Sequence, residues 1–166
     1  RDSMIFADGA GAVIVDASEE ETERGLLSHA AVTHANEQLN YLGFGKSYKP
    51  DTNRDMKYIK MQGRKIYEYS LSEVPAAMKQ AMDKCKCPID ELKKIVIHQA
   101  NEKMDAAIVK RFFRLYKKRE PENIMPMSIQ NLGNSSVATM PTLLDLMLKG
   151  QYKEHNINPG DLVLFA

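Results

Sequence analysis

Two residues of this sequence could do chemistry together. His98 ends a β-branched apolar run in IVIHQAN, residues 95–101, and Asn134 follows a glycine in NLGNSS, residues 131–136. An imidazole and a carboxamide both donate hydrogen bonds without being ionised, so they can work in a low-dielectric pocket that would penalise a lysine. Preorganised donors of this kind stabilise negative charge developing on an oxygen, as in an enolate or a tetrahedral oxyanion. Gly133 allows a tight turn ahead of Asn134 and presents the asparagine at a helix start. By residue type alone the plainer reading is a hydrogen-bonded core histidine at a strand end and an ordinary helix N-cap. His29, His34 and His155 have no comparable context and read as structural or exposed. What such a site still lacks is a nucleophile. Cys85 and Cys87, in KCKCP, are too close together for an ordinary disulfide framework. A lone C-x-C also lacks the second ligand pair of a structural zinc site, so no metal is expected. Both thiols read as reduced, as in a cytoplasmic protein.

Positioning these residues falls to alternating strands and helices. Residues 12–15 read as a strand behind the glycine turn DGAG, and residues 26–33 as another bounded by Gly25, and the two are expected to pair. Residues 38–54, rich in Gly, Pro, Asn and Lys, read as a loop. Helical spacing at Ile66, Met78 and Ala81 predicts a helix over 63–84, with Pro75 kinking or restarting it. A short strand, 95–97, follows the turn at CPIDE. Residues 101–116 form the clearest amphipathic pattern: at about 100° per residue, Met104, Ile108, Phe112 and Leu115 share one face. Lys103, Lys110, Arg114 and Lys117 share the opposite one. In 135–149, Val137, Met140, Leu143, Leu144, Leu146, Met147 and Leu148 surround the axis, which predicts an inner helix buried on every side. Residues 162–165 predict a buried closing strand. The predicted class is α/β, a layered α/β/α domain with a mixed sheet and a buried inner helix.

At 166 residues, 43% hydrophobic and 27% charged, the chain carries enough apolar material for one domain with a substantial core. Its 23 Lys and Arg against 22 Asp and Glu leave a net charge of +1, so no whole-chain field draws in nucleic acid, and any basic surface must be local. No run reaches the roughly 18 apolar residues of a membrane span, and no export signal opens the sequence. The chain enters the apolar stretch MIFADGAGAVIVDAS almost at once and ends on LVLFA, which reads as a piece cut from a longer polypeptide at strand boundaries.

Four segments, FADGAGAVIVDAS, IVIHQAN, NLGNSSVATMP and INPGDLVLFA, occur in this order. Together they resemble the C-terminal half of the type III β-ketoacyl-acyl carrier protein synthases of the thiolase superfamily. The resemblance implies that residues 1–166 form one half of a thiolase-like fold, without the N-terminal half, its nucleophilic cysteine and the final glycine-rich hairpin. It implies an acyltransferase of fatty acid biosynthesis. Such an enzyme condenses an acyl-CoA primer with malonyl-acyl carrier protein, decarboxylatively, to a 3-oxoacyl-acyl carrier protein, using a Cys, a His and an Asn. By motif the histidine is His98 and the asparagine Asn134. Neither Cys85 nor Cys87 lies in a segment like the family's nucleophile motif, so the isolated chain is expected to be inactive.

The resemblance extends to binding. Gly63, Tyr67 and Ala100 match positions bordering the family's pantetheine channel, and Asn101 is either a further substrate contact or the cap of the helix that follows. Lys103, Lys110 and Arg111 match the helix that docks the acidic carrier protein, extended by Arg114, Lys117 and Lys118, with Glu68 opposing them nearby. The same charge run by itself reads as a solvated helix face. No cofactor is implied, because the substrates carry their own phosphopantetheine as coenzyme A or acyl carrier protein. The implied partners are acyl carrier protein, acyl-CoA and malonyl thioesters, in a cytoplasmic homodimer. Two alternatives stay open: a non-catalytic carrier-docking subunit, and another thiolase-like synthase of specialised metabolism.

Overall fold

The computed structural model describes residues 5–17, 19, 24–50 and 55–166. In chain order its regular elements are strands β1 (Leu42–Gly45) and β2 (Tyr58–Met61), helix α1 (Gly63–Cys85) and strand β3 (Leu92–Val96). Helices α2 (Glu102–Leu115), α3 (Ile129–Leu132) and α4 (Thr139–Leu148) and strand β4 (Leu162–Phe165) follow. None of the described helices is long and apolar enough to cross a membrane.

β3 and β4 run parallel, with Ile95 beside Leu164 and Val96 beside Phe165. Successive side chains of a strand point to opposite faces. Ile95, Ile97 and Leu164 accordingly join Leu71, Met78 and Met82 of α1 and Ile108, Phe112 and Phe113 of α2 in one core. Val96 turns the other way, against Leu143 and Met147 of α4. Helices on both faces of parallel strands give the layered α/β/α arrangement that the alternation of elements predicts. A register irregularity between Leu92 and Lys94 lets Leu92 enter the first core as well. Lys94 is buried, and its ammonium donates to the main-chain oxygens of Asn123 at 2.5 Å and Glu154 at 3.2 Å, with His155 Nδ1 3.4 Å away.

Pro75 lies inside α1, yet the helix runs through it without interruption for 23 residues. Proline removes the N–H that the carbonyl four residues earlier would accept, here that of Leu71. Arg111 of α2 supplies the replacement, donating from Nη1 to Leu71 O at 3.0 Å. The expected restart at Pro75 is absent because a neighbouring helix completes the broken ladder.

Elsewhere the observed elements depart from the pattern. Residues 12–15 and 26–33 form no strand and do not pair. Ile14 is 97% exposed, and Val13, Val15, Leu26 and Val32 are exposed with it. β-branched composition favours a strand only where a neighbour completes the ladder, and among the described residues no strand pairs with these; residues 28 and 29 meet α1 instead, Ser28 Oγ donating to Ala81 O at 2.7 Å and Lys84 Nζ to His29 O at 3.0 Å. Within the predicted loop 38–54, Leu42–Gly45 pairs antiparallel with Tyr58–Met61, and the positions 51–54 lie outside the described residues. Leu115 is 48% exposed; at the end of α2 the core contact passes to Tyr116, whose ring stacks edge-on against Phe112 at 5.6 Å. α4 is buried along a single stripe, Thr139, Leu143 and Met147, while Val137 just ahead of it is 82% exposed and Leu148 is exposed too. The strand layer seals one face of α4 and the segment at Gly11 only touches it at Pro141, so one face is buried rather than every side. β4 is only partly buried, with Leu164 buried and Phe165 exposed at its end; among the described residues it pairs with β3 alone.

Two stability measurements follow from these contacts. Arg111→Ala should lower the unfolding free energy by about 1–3 kcal/mol, the range for stranding a part-buried acceptor. In a Pro75→Ala background the same change should cost much less, because residue 75 again offers its own N–H. Equal losses in both backgrounds, read by chemical denaturation, would refute the clamp. The second concerns Asp105 of α2, fully buried, with neither carboxyl oxygen in a hydrogen bond. Burial pushes its pKa from 3.8 up to about 7, while the nearby backbone N–H groups of Asn101 and Ala100 pull the other way. Between those values the folded chain binds a proton that the unfolded chain releases, so this group's contribution falls as pH rises from about 4 to 7. Asp105→Asn should be more stable than the parent above pH 7 and differ little near pH 4 in paired denaturant titrations.

Candidate active site

His98 stands at the C-terminal end of β3, where the loops of parallel α/β sheets gather ligands. Its N–H donates to Ala166 O at 2.8 Å and Ala166 N–H donates to Val96 O at 3.0 Å, so the ladder with β4 continues up to the histidine. Gln99, 0% exposed, turns inward. Its Oε1 accepts from Ser128 N–H at 2.7 Å, Ser128 Oγ at 3.1 Å and Ile129 N–H at 2.8 Å, and its Nε2 donates to Pro126 O at 2.8 Å. Ala100 packs partly buried against the larger core. Asn101 caps α2, its Oδ1 accepting Met104 N–H at 3.1 Å. That bond engages the oxygen of a side chain also matched to substrate contact.

Asn134 is 3% exposed and follows the short helix α3 through Gly133. Gly133 has φ +67, and a Cβ there would lie 2.8 Å from Ala7 Cβ, so conformation and space both require glycine. Ala7 N–H donates to Asn134 O at 2.8 Å, and Phe6 and Asn134 form an isolated parallel bridge. At Gly11 a Cβ would sit 2.3 Å from Pro141 Cγ. The DGAG stretch therefore lets the segment lie flat against the Asn134 turn instead of opening a hairpin. Sequence reasoning missed this support. The available signal was the alternate spacing of Gly9 and Gly11, which clears one face of an extended segment.

The two candidate side chains converge on the main chain of Ser136. Asn134 Oδ1 accepts Ser136 N–H at 2.9 Å, and His98 Nδ1 lies 3.1 Å from Ser136 O. A carbonyl only accepts, so Nδ1 carries the proton, and in the neutral ring Nε2 then holds the lone pair. Burial lowers the His98 pKa from 6.5, with the Ser136 hydrogen bond opposing it, so the free ring is neutral at pH 7. Asn134, its oxygen engaged, keeps the Nδ2 hydrogens for another acceptor. Unliganded, the site thus offers a carboxamide donor and an imidazole that becomes a donor at Nε2 when it gains a second proton.

The remaining residues are dispersed. Cys87 Sγ lies 3.6 Å from Cys85 O, and interaction with Cys85, then burial, pushes its thiol up to about 11. A thiol so raised is not the thiolate that attacks a thioester. Among the described residues no three His, Cys, Asp or Glu side chains gather as metal ligands. Gly63 and Tyr67 lie on the exposed opening turns of α1. A cleft of about 510 Å³ beside them, lined by His34, Gln38, Lys65, Tyr69 and Glu73 among others, contains neither His98 nor Asn134. Lys103, Lys110, Arg111 and Arg114 are exposed on α2, with Arg111 tied back to α1. Lys118 pairs with Asp90, and Glu68 with Arg64 at 2.8 Å, which offsets the acidic charge opposing the basic face.

Residues 82–166 match the family described as 3-oxoacyl-(acyl-carrier-protein) synthase III C terminal. The chain is similar to the β-ketoacyl-(acyl-carrier-protein) synthase III of Acaryochloris marina, 28% identical over 167 residues, covering 98% of this chain and 47% of the relative. It is similar to that of Porphyra umbilicalis at 30% over 171 residues, with 98% and 48% covered. It spans about half the length of these curated relatives. Among solved structures it shares the fold of 3-oxoacyl-(acyl carrier protein) synthase III from Pseudomonas aeruginosa, with a TM-score of 0.69 at 20% identity over 90% of this chain and 42% of that one. The Aquifex aeolicus synthase gives 0.62 at 20% identity over 89% and 42%. The matched region starts within α1 and takes in the His98 loop, the Asn134 turn and β4, and the chain belongs to the 3-oxoacyl-(acyl-carrier-protein) synthase III C-terminal family.

Proposed function

We propose that this chain is the C-terminal half of a cytoplasmic condensing enzyme of fatty acid biosynthesis. The enzyme would join an acyl-CoA primer to malonyl-acyl carrier protein and release carbon dioxide and a 3-oxoacyl-acyl carrier protein. The observation that carries this reading is the convergence of His98 and Asn134 on Ser136 in a member of this family. The nucleophilic cysteine belongs to the N-terminal half, and the intact enzyme works as a homodimer. It needs no cofactor beyond the phosphopantetheine that its substrates bring.

The primer's acyl group moves from coenzyme A to that cysteine. The malonyl carboxylate then leaves as carbon dioxide, and the bond's electron pair remains on the thioester as an enolate. Asn134 Nδ2 donates to the oxygen where this charge develops. The anionic malonyl group beside His98 raises the ring's pKa, so that Nε2 gains a proton and donates to the same oxygen while Nδ1–H stays on Ser136. The enolate carbon attacks the acyl-cysteine carbonyl, and collapse of the tetrahedral adduct expels the cysteine thiolate. Lys103, Lys110 and Arg114 attract the acidic carrier protein, which affects encounter more than affinity.

In the full-length enzyme, His98→Ala and Asn134→Ala should each slow malonyl decarboxylation and condensation by roughly 100-fold or more, the scale for losing one oxyanion donor, and acyl transfer to the cysteine by less. Decarboxylation should decline as pH rises through the His98 titration in the complex, and His98→Ala should abolish that dependence. Wild-type condensation rates in both variants would overturn the site. For docking, Lys103→Glu with Lys110→Glu should raise KM for malonyl-acyl carrier protein well above any change for malonyl-CoA; equal changes would remove the basic face from the proposal.

A further inference from the structure

We propose that Gln99 is a positioning residue, a buried tether that fixes the His98 loop relative to the segment leading to Asn134; this rests on the reading of His98 and Asn134 given above. Gln99 adjoins His98 and is 0% exposed, and every hydrogen bond of its carboxamide goes to residues 126–129. Ser128 and Ile129 stand at the start of α3, and Ser128 makes no side-chain cap of its own. The N–H groups at a helix start have no partner within the helix. Gln99 Oε1 accepts two of them from another part of the chain.

Apart from an exposed hydrogen bond from Gln130 Nε2 to Glu102 Oε2 at 3.1 Å, α3 has few other means of holding its place. It is four residues long and none of its residues is buried, yet it leads through Gly133 directly to Asn134. The tether must be an uncharged amide of this length. A glutamate would set an oxygen against Pro126 O and bring charge into a sealed site, an asparagine is one methylene short, and a methionine would strand the Ser128 and Ile129 N–H groups. Misplacing a reacting group by about 1 Å can cost on the order of 100-fold in rate, so loss of the tether acts on the step that uses both His98 and Asn134.

The test uses the full-length condensing enzyme with Gln99→Met, Gln99→Glu and Ser128→Ala, reading malonyl decarboxylation, acyl transfer to the cysteine and thermal midpoint separately. Both Gln99 variants should lower decarboxylation by about tenfold or more while acyl transfer stays within about threefold of wild type. Adding Asn134→Ala to Gln99→Met should lower the rate by much less than Asn134→Ala does alone, because the geometry is already lost. Decarboxylation within threefold of wild type would overturn the proposal, as would a parallel fall of both steps that follows the loss of folded protein. Should the Gln99 variants fail to fold, Ser128→Ala decides: it should keep its thermal midpoint and slow decarboxylation a few-fold relative to acyl transfer, and equal rates would overturn the tether. Failure of the underlying reading looks different, with His98→Ala and Asn134→Ala condensing normally whatever the Gln99 variants do.

Discussion

The main chain of Ser136 gives its N–H to Asn134 and its carbonyl to His98, and the rest of the site is organised around keeping it there. Ser136 has φ +55, a left-handed conformation that costs a non-glycine residue on the order of 1–3 kcal/mol and persists where its surroundings over-determine it. Here they do. Gly133 and the glycines of the DGAG segment allow the Ala7 backbone and the Asn134 turn to touch, α4 begins three residues further on, and Gln99 holds the approach from the other side. The side chains that would act on substrate are aimed by backbone groups, which do not titrate and have no rotamers to lose.

A parallel strand pair suits this arrangement. β3 delivers His98 from its C-terminal end while its two faces are sealed by different helix layers, so the histidine loop is anchored from below by Ile95, Val96 and Ile97. α2 divides its work by face. Ile108, Phe112 and Phe113 hold it to the core, and the outward cations are left for solvent or a partner. Arg111 is the exception, exposed as a residue but committed through one donor to the carbonyl that Pro75 leaves open.

What could be read in the sequence depended on how local its cause is. His98 and Asn134 were legible because each sits in a short distinctive segment, and α2 because its 3.6-residue period is set by a single core contact. The three layers followed from the alternation of elements. Residues 12–15 and 26–33 misled because their β-branched composition describes a preference, and a strand also needs a neighbour that no local pattern specifies. The α4 pattern recorded apolar residues all round the helix without recording how many faces the described layers cover. Gln99 gave no signal: a polar residue beside a candidate histidine looks like a loop residue until its four hydrogen bonds, to three residues about thirty positions further along the chain, are seen around it.

The bridge between Phe6 and Asn134 joins two segments far apart in the sequence, one near the start of the described chain and one between α3 and α4. Loop-closure entropy makes such a contact among the more expensive to form, and much of the segment that makes it lies exposed rather than in the core. Contacts of this kind belong to the low end of the local opening free energies in a fold, below the strands and helices they rest on. Under mild heat or denaturant the Asn134 turn would lose its backing while β3, α1 and α2 are still packed. A chain in that condition would keep its circular dichroism and its compact size after the convergence of His98 and Asn134 on Ser136 had gone, so the geometry of the site would be lost ahead of the fold.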